Sequence, residues 1–438
     1  MRSVFAMLAA MSAFSTSVDA QDNAARAGQM SAAINPKVVE WRRDFHAHPE
    51  LGNRETRTAK VVADHLRALG LEVRTGIAVT GVVGVLKGGK PGPRIALRAD
   101  MDALPVTERS NLPFASKATT TFRGETVGVM HACGHDAHTS ILMGVAEALA
   151  GMRRDLPGEV MFIFQPAEEG APEGETGGAS RMLEEGLFDS FKPEAVFGLH
   201  VWSNEPVGEI GYRTGSLMAA SDSFKIIVKG KQTHGARPWG GVDPIVAAAD
   251  IIGTAQSIVS RRMDITKHPV VLSFGAIKGG IRFNIIPDQV ELIGTIRTFD
   301  AAMRAQVFSE LRRVAERIAQ AHGATVETQI PDRPGTPMVT NDAALVARVL
   351  PSLQQAVGAD NVKQVAVTTA AEDFSRFGEH APSLFFFVGS TAKGIDPASA
   401  PSNHSPLFIL DEGALAVGTR TLLQVSLDYL NGVGAVPE

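Results

Sequence analysis

Val160-Met161-Phe162-Ile163-Phe164-Gln165-Pro166-Ala167-Glu168-Glu169-Gly170 passes from an unbroken apolar run to two adjacent carboxylates. A short apolar run that stops at a proline and a glycine predicts a strand buried on both faces. Runs of the same kind recur at Val82–Val85, Ile95–Leu97, Ala195–Leu199 and Leu384–Val388. Helical spacing lies around them, over residues 36–70, Ile141–Met152 and about Gly413–Leu430. Short buried strands alternating with helices argue for an α/β sheet.

In open α/β sheets, ligands sit outside the carboxyl ends of the strands. The run at 160–164 delivers Glu168-Glu169 there, 95–97 delivers Arg98-Ala99-Asp100-Met101-Asp102, and 195–199 delivers His200-Val201-Trp202. Independent segments therefore converge on one crevice. The stretch His131-Ala132-Cys133-Gly134-His135-Asp136-Ala137-His138 belongs at the same edge, in the loop before a helix expected over 139–152. It gathers three histidines, an aspartate and the single cysteine of the chain. A lone cysteine forms no internal disulfide, and thiolate, imidazole and carboxylate together are the ligands of zinc and its first-row neighbours.

Two adjacent carboxylates on an irregular turn can face different ways. One of Glu168 and Glu169 can bind a metal while the other stays free as a base, because a metal-bound water has a pKa lowered toward 7. The competing reading is a solvated acidic loop, which Glu173 and Glu175 nearby favour. His200 follows an apolar strand and His404 lies in Ser402-Asn403-His404-Ser405-Pro406. By themselves they read as a core and a surface histidine. Both become ligand candidates because the 131–138 cluster cannot fill two coordination spheres alone. The histidines at 46, 48, 65, 268, 322 and 380 lack such company and read as structural or exposed.

The chain has 438 residues, 44% of them apolar and 20% charged, with a formal net charge of -5. That charge does not suggest a nucleic-acid surface. No apolar run reaches the roughly 18 residues a membrane span needs. Arg2, the apolar stretch Val4–Phe14 and Val18-Asp19-Ala20 predict a signal peptide over residues 1–20, cut near Ala20-Gln21. The mature protein is then secreted or periplasmic, without a disulfide framework.

The middle of the chain has a different texture. Ser223–Val228 alternates, Val242–Ile258 is helical, Val270–Ala276 and Gln289–Arg297 alternate again, and a long amphipathic helix runs from Ala301 to about Ala321. This β-α-β-β-α-β order is the ferredoxin-like pattern. It predicts an inserted domain over 219–331, with Pro331, Pro334, Gly335 and Pro337 marking its second joint. The enclosing domain is then discontinuous, over 36–218 and 332–438.

At these residues the sequence resembles the dinuclear aminoacylase–carboxypeptidase metallohydrolases, and more closely their amidohydrolase branch, which includes hippurate hydrolases and plant auxin-conjugate hydrolases. The matching segments are His46-Ala47-His48-Pro49-Glu50-Leu51, Arg98-Ala99-Asp100-Met101-Asp102-Ala103-Leu104-Pro105, the His131–Thr139 run and Phe164–Gly170. Further along are Gly198-Leu199-His200-Val201, Asn284-Ile285-Ile286-Pro287-Asp288, Ala371-Glu372-Asp373-Phe374 and Asn403-His404-Ser405-Pro406. The likeness spans about residues 36 to 430, in the family's order.

The resemblance implies a zinc-peptidase-like catalytic domain, with a central mixed sheet flanked by helices, and an inserted lid and dimerisation domain. It implies two divalent metal ions (Zn, Mn, Ni or Co), with Cys133 bridging them, His135 and His200 completing one site and Glu169 and His404 the other. Glu168 would be the general base. His234, in Gln232-Thr233-His234-Gly235, would stabilise the tetrahedral oxyanion, and Asn284 and Arg297 would hold the substrate near its carboxylate. An arginine suits that task because its fork meets a carboxylate bidentately.

Three departures narrow the likeness. The wider family has a metal-binding His where this chain has Asp100 and a bridging Asp where it has Cys133; the amidohydrolase branch shares both changes. Asp100 and Asp102 then read as residues that orient the ligands. Trp239 follows Pro238 where many branch members have a His, and it either lines an acyl pocket or packs on the insert. The extension Ala171–Thr176 lengthens the loop beside the metals.

The activity implied is hydrolysis of an N-acyl amino acid. A carboxypeptidase or dipeptidase with the same machinery is the alternative, and a binding protein on a dead hydrolase scaffold is the rival of another class. The partners implied are the small substrate and a second copy of the chain, joined through the insert.

Overall fold

The structure, a computed structural model, describes residues 2–434, with side chains over residues 21–434. The expected signal segment, residues 1–20, lies outside the residues whose side chains are described. Two compact units are present. One comprises Met1–Gly215, Asn341–Val365 and Arg376–Glu438, and the other Ser216–Thr340 and Ala366–Ser375.

The first unit is built on an eight-stranded mixed sheet. Across it run Glu72–Ile77, Gly81–Lys87, Pro157–Gln165, Lys90–Asp100, Ala195–Pro206, Ser383–Thr391, Ile210–Tyr212 and Val362–Gln364. The four central strands Pro157–Gln165, Lys90–Asp100, Ala195–Pro206 and Ser383–Thr391 run parallel to one another. They are also the most apolar, because helices cover both faces of a parallel sheet and leave no polar side. Phe162, Phe164, Phe197, Phe385 and Phe386 are accordingly buried. Their shared direction brings the ends of Lys90–Asp100, Pro157–Gln165 and Ala195–Pro206 to one edge.

Two helix boundaries differ from the sequence reading. The first helix does not begin near 36 but runs through Pro36, from Arg2 to Ala47. An interior proline costs about 3 kcal/mol. Ala27, Ser31, Ile34, Val38 and Phe45 are nevertheless all buried at helical spacing, and Asn23 donates to Asp428 Oδ1 at 2.9 Å. Burying side chains such as Ile34 contributes about 1.5–3 kcal/mol each, enough to offset the break. The second difference is that the helix expected over 139–152 spans His135–Gly151. Gly134 caps it at φ 98°, where a Cβ would lie 2.2 Å from Val201 Cγ2. His135, Asp136 and His138 are therefore on its first turn and not in the preceding loop. This helix is buried nearly all round, so no amphipathic stripe marks its start.

The second unit has a four-stranded antiparallel sheet in the order Val271–Lys278, Gln289–Thr298, Ala220–Lys229 and Thr325–Gln329. Ala220–Lys229 alternates buried and half-buried residues along its whole length. The helices Pro244–Arg262 and Ala301–Ala321 close its separate core, and Asp243 and Asp300 accept from the first free N–H groups of each. The order of the four strands is that of a ferredoxin-like fold. The unit also takes in Ala366–Ser375, since Ala219 N–H donates to the carbonyls of Thr368 and Ala370 at 3.1 and 2.9 Å.

Candidate metal centre

At the carboxyl edge of the first unit's sheet, two groups of donor atoms share one sulfur. Cys133, His135 and His200 form the first, and Cys133, Glu169 and His404 the second. Cys133 Sγ lies 3.3 Å from His200 Nε2 and 3.2 Å from His404 Nε2. Glu169 Oε1 is 3.1 Å from His404 Nε2. His135 Nε2 points between Glu168 and Glu169, 4.0 Å from an oxygen of each. The structure thus brings together Cys133, His135, Glu168, Glu169, His200 and His404, whose positions span 271 residues of sequence.

The second nitrogen of each ring explains which nitrogens face the centre. His200 Nδ1 lies 2.7 Å from the Val201 carbonyl, which only accepts, so Nδ1 carries the proton and Nε2 keeps its lone pair. His135 Nδ1 faces Asp102 Oδ1 at 3.2 Å, which likewise leaves Nε2 toward the centre, where it makes no hydrogen bond among the described residues. Asp102 Oδ2 accepts from the Glu169 N–H at 2.9 Å, so one carboxylate orients a histidine and the backbone of a glutamate together. His138 differs. Its Nδ1 is 2.6 Å from Asp100 Oδ1 and its Nε2 accepts from Val201 N–H at 2.8 Å, so neither nitrogen is left for a cation. Asp100 is itself tied to Arg98 Nη1 at 2.6 Å.

The electrostatics follow from burial among carboxylates. Burial, then Glu169, Glu168 and Asp100, push the Cys133 thiol well above its usual range. Burial disfavours charge on His135, but Asp100 and the hydrogen-bonded Asp102 overcome this and push it up to about 10. Burial, reinforced by His138, holds His200 well below the usual range. Burial raises the Glu169 carboxyl, but its contact with His404 and the charge of His135 outweigh that and hold it down. A buried thiol, a hydrogen-bond-free imidazole nitrogen and two carboxylates in one place are costly unless a cation joins them. The residues present fit a pair of divalent ions, whose charge would deprotonate the thiol.

Several residues that position the site carried no sequence signal of that role. Asn403 donates from Nδ2 to the carbonyls of Cys133 and Val201 at 3.0 and 3.1 Å and accepts from Ser203 N–H at 3.1 Å, which fixes His404 at φ 71°. Glu55 is fully buried, accepts from the Ala167 N–H at 2.8 Å, and is raised to about 7 by burial and then by Asp102. His46, expected to be structural or exposed, is buried between Asp136 at 2.8 Å and Glu108 at 3.2 Å. Asp136 also accepts from Arg42 Nε at 2.8 Å. His131 is buried with no hydrogen bond at either ring nitrogen among the described residues, and burial lowers it to about 3.

His234, Asn284 and Arg297 lie in the second unit. His234 pairs with Ile285 in a two-stranded ribbon, and Gly235 N–H donates to the Asn284 carbonyl at 2.8 Å. His234 is exposed, with Nδ1 accepting from Ala236 N–H at 3.0 Å. Asn284 Oδ1 and Arg297 Nη1 are buried without hydrogen-bond partners among the described residues. Burial lowers the Arg297 pKa. Trp239 is 81% exposed, so it does not pack on this unit.

The sequence pattern of peptidase family M20/M25/M40 matches residues 96–428. The chain is 38% identical to N-acetylcysteine deacetylase of Bacillus subtilis, over 92% of its own length and 99% of that protein. It is also 38% identical to thermostable carboxypeptidase 1 of Saccharolobus solfataricus, over 91% and 96% of the two chains. Among solved structures, a dinuclear metal binding M20 peptidase from Bacillus subtilis, the YXEP protein, superposes with a TM-score of 0.75. Its identity is 36%, and the match covers 91% of this chain and 99% of that one.

Proposed function

The chain belongs to peptidase family M20/M25/M40, a family of hydrolases, and we propose that it is a metal-dependent amidohydrolase that cleaves the amide of N-acyl amino acids. The observation that carries this reading is the Cys133 sulfur, held between His200 and His404 and shared by two donor groups. Cys133, His135 and His200 would hold one divalent ion, and Cys133, Glu169 and His404 the other. When bound, two ions there would supply Lewis acidity and lower the pKa of a water toward 7. Glu168 takes that proton and returns it to the leaving amine. His234 donates to the oxyanion, while Asn284 and Arg297 hold the substrate carboxylate. Asp100 and Asp102 keep the histidines aimed. The donor set suits zinc, nickel, cobalt or manganese.

The deacetylase relative supports the acyl-amino-acid reading, and the carboxypeptidase relative supports a second one, hydrolysis of short peptides with a free carboxylate. Metal-replete protein assayed on hippurate-like substrates and on dipeptides decides between them. Glu168→Gln is expected to keep its metals and lose turnover by at least about a hundredfold; near-full activity in that variant refutes the assignment. We also assign the mature chain to the periplasm or exterior, checked by sequencing its N-terminus. Dimerisation through the second unit is supported by the exposed Ile277, Ile281 and Phe283 on that unit and is checked by sedimentation. Among the described residues no helix is long and apolar enough to cross a membrane.

A further inference from the structure

Glu55 occupies the N-cap position of the helix Thr56–Ala68, where a carboxylate ordinarily accepts from the first free N–H groups. Its side chain does not do so. Glu50 takes that task, accepting from Arg57 N–H at 3.0 Å and Thr58 N–H at 2.8 Å. The Glu55 carboxylate turns inward instead. One oxygen accepts from the Ala167 N–H at 2.8 Å and the other from the Thr80 hydroxyl at 2.5 Å.

Ala167 opens the turn that carries Glu168 and Glu169, and it holds a left-handed φ of 50°. A non-glycine residue keeps that conformation only where its surroundings impose it. The N–H on the other side of Glu168 is also anchored, to Asp102 Oδ2 at 2.9 Å. Gln165, at the start of the turn, is held by Arg98 Nε at 2.8 Å and by Met101 N–H at 2.9 Å. The loop before Glu55 presses on the same turn, since a Cβ at Gly52 would lie 2.6 Å from the Gly170 carbonyl oxygen. Glu168 thus stands between two backbone N–H groups, each fixed by a different buried carboxylate.

We propose that Glu55 is a positioning residue that aims Glu168 through the Ala167 N–H. The proposal rests on the reading of Glu168 as the base. Glu55 belongs to neither donor group around Cys133, and its effect reaches the reaction only through the backbone of the turn.

The test is a steady-state comparison of Glu55→Leu, Glu55→Gln and Glu168→Gln in the metal-replete full chain, with metal content and melting temperature measured on each. Glu55→Leu removes the acceptor and is expected to lower kcat at least about tenfold while KM stays within about twofold, as a small misplacement of a catalytic group does. Its metal content is expected to be unchanged. Glu55→Gln keeps an acceptor for Ala167 N–H and offers its amide to the Thr80 oxygen, so kcat is expected within about threefold of the parent.

Unchanged kcat in Glu55→Leu overturns the proposal. So does a loss that merely follows loss of metal, or a glutamine variant as impaired as the leucine one. Should Glu55→Leu fail to fold, Glu55→Asp draws the carboxylate back from the Ala167 N–H with a smaller change of volume; a lowered kcat at normal metal content supports the proposal and an unaltered kcat overturns it. Glu168→Gln separates the two readings. Full turnover there removes the base, whereas loss there beside an unaffected Glu55→Leu removes only the role of Glu55.

Discussion

Asp102→Asn isolates how a single buried carboxylate prepares the centre. Asp102 Oδ1 faces His135 Nδ1 at 3.2 Å and Oδ2 accepts from Glu169 N–H at 2.9 Å. An asparagine has one acceptor oxygen and one donor group, so it can serve only one of these partners. If it keeps the Glu169 N–H, its NH2 faces an Nδ1–H, and two donors repel. The imidazole then moves its proton to Nε2, the nitrogen that faces Glu168 and Glu169.

Losing an orienting carboxylate of this kind weakens metal binding about 10–100-fold, or about 1.4–2.7 kcal/mol. One effect opposes this: with one carboxylate fewer, His135 falls from about 10 and its proton competes less. A divalent ion carries twice the charge of a proton and loses more attraction when the carboxylate goes, so weakening wins. Competition for zinc against a chromophoric chelator near neutral pH measures the change, with circular dichroism to show that the fold is kept. An affinity within about twofold of the parent would refute the tautomer argument.

Two further outcomes follow from the same geometry. Asp136→Asn removes the carboxylate shared by Arg42 Nε and His46 Nδ1, both 2.8 Å away and all three side chains 1% exposed; a buried pair broken on one side costs about 3–5 kcal/mol, and a urea-unfolding change under about 1 kcal/mol would show that the network is idle. Metal affinity is expected to climb steeply with pH. The metal-free site holds a proton on His135, raised to about 10, and another on the Cys133 thiol, while His200 has none to lose. Two displaced protons mean about a hundredfold tighter binding per pH unit around neutrality, and a flat profile would contradict the proton count.

The sequence by itself determined the α/β class, because strands buried on both faces read as continuous apolar runs and the second unit's strands as strict alternation. It also determined the chemical identity of the donors, since the turn after each parallel strand delivers its polar residues to one sheet edge. The tertiary structure decided which of those donors are available. His135 and His138 sit three residues apart on one helix turn, and no local pattern separates them. Val201 N–H, 63 residues away, occupies His138 Nε2, whereas Asp102 takes only the far nitrogen of His135. Glu55 lies inside a stretch of helical spacing, yet its carboxylate holds a backbone N–H 112 residues further on. Helical spacing is legible only from Pro36 onward, yet the helix runs through that proline because its buried face is already packed. In each case the deciding partner lies far along the chain. A hydrogen bond or a packed side chain depends on where that partner sits in space, and local sequence periodicity does not record it.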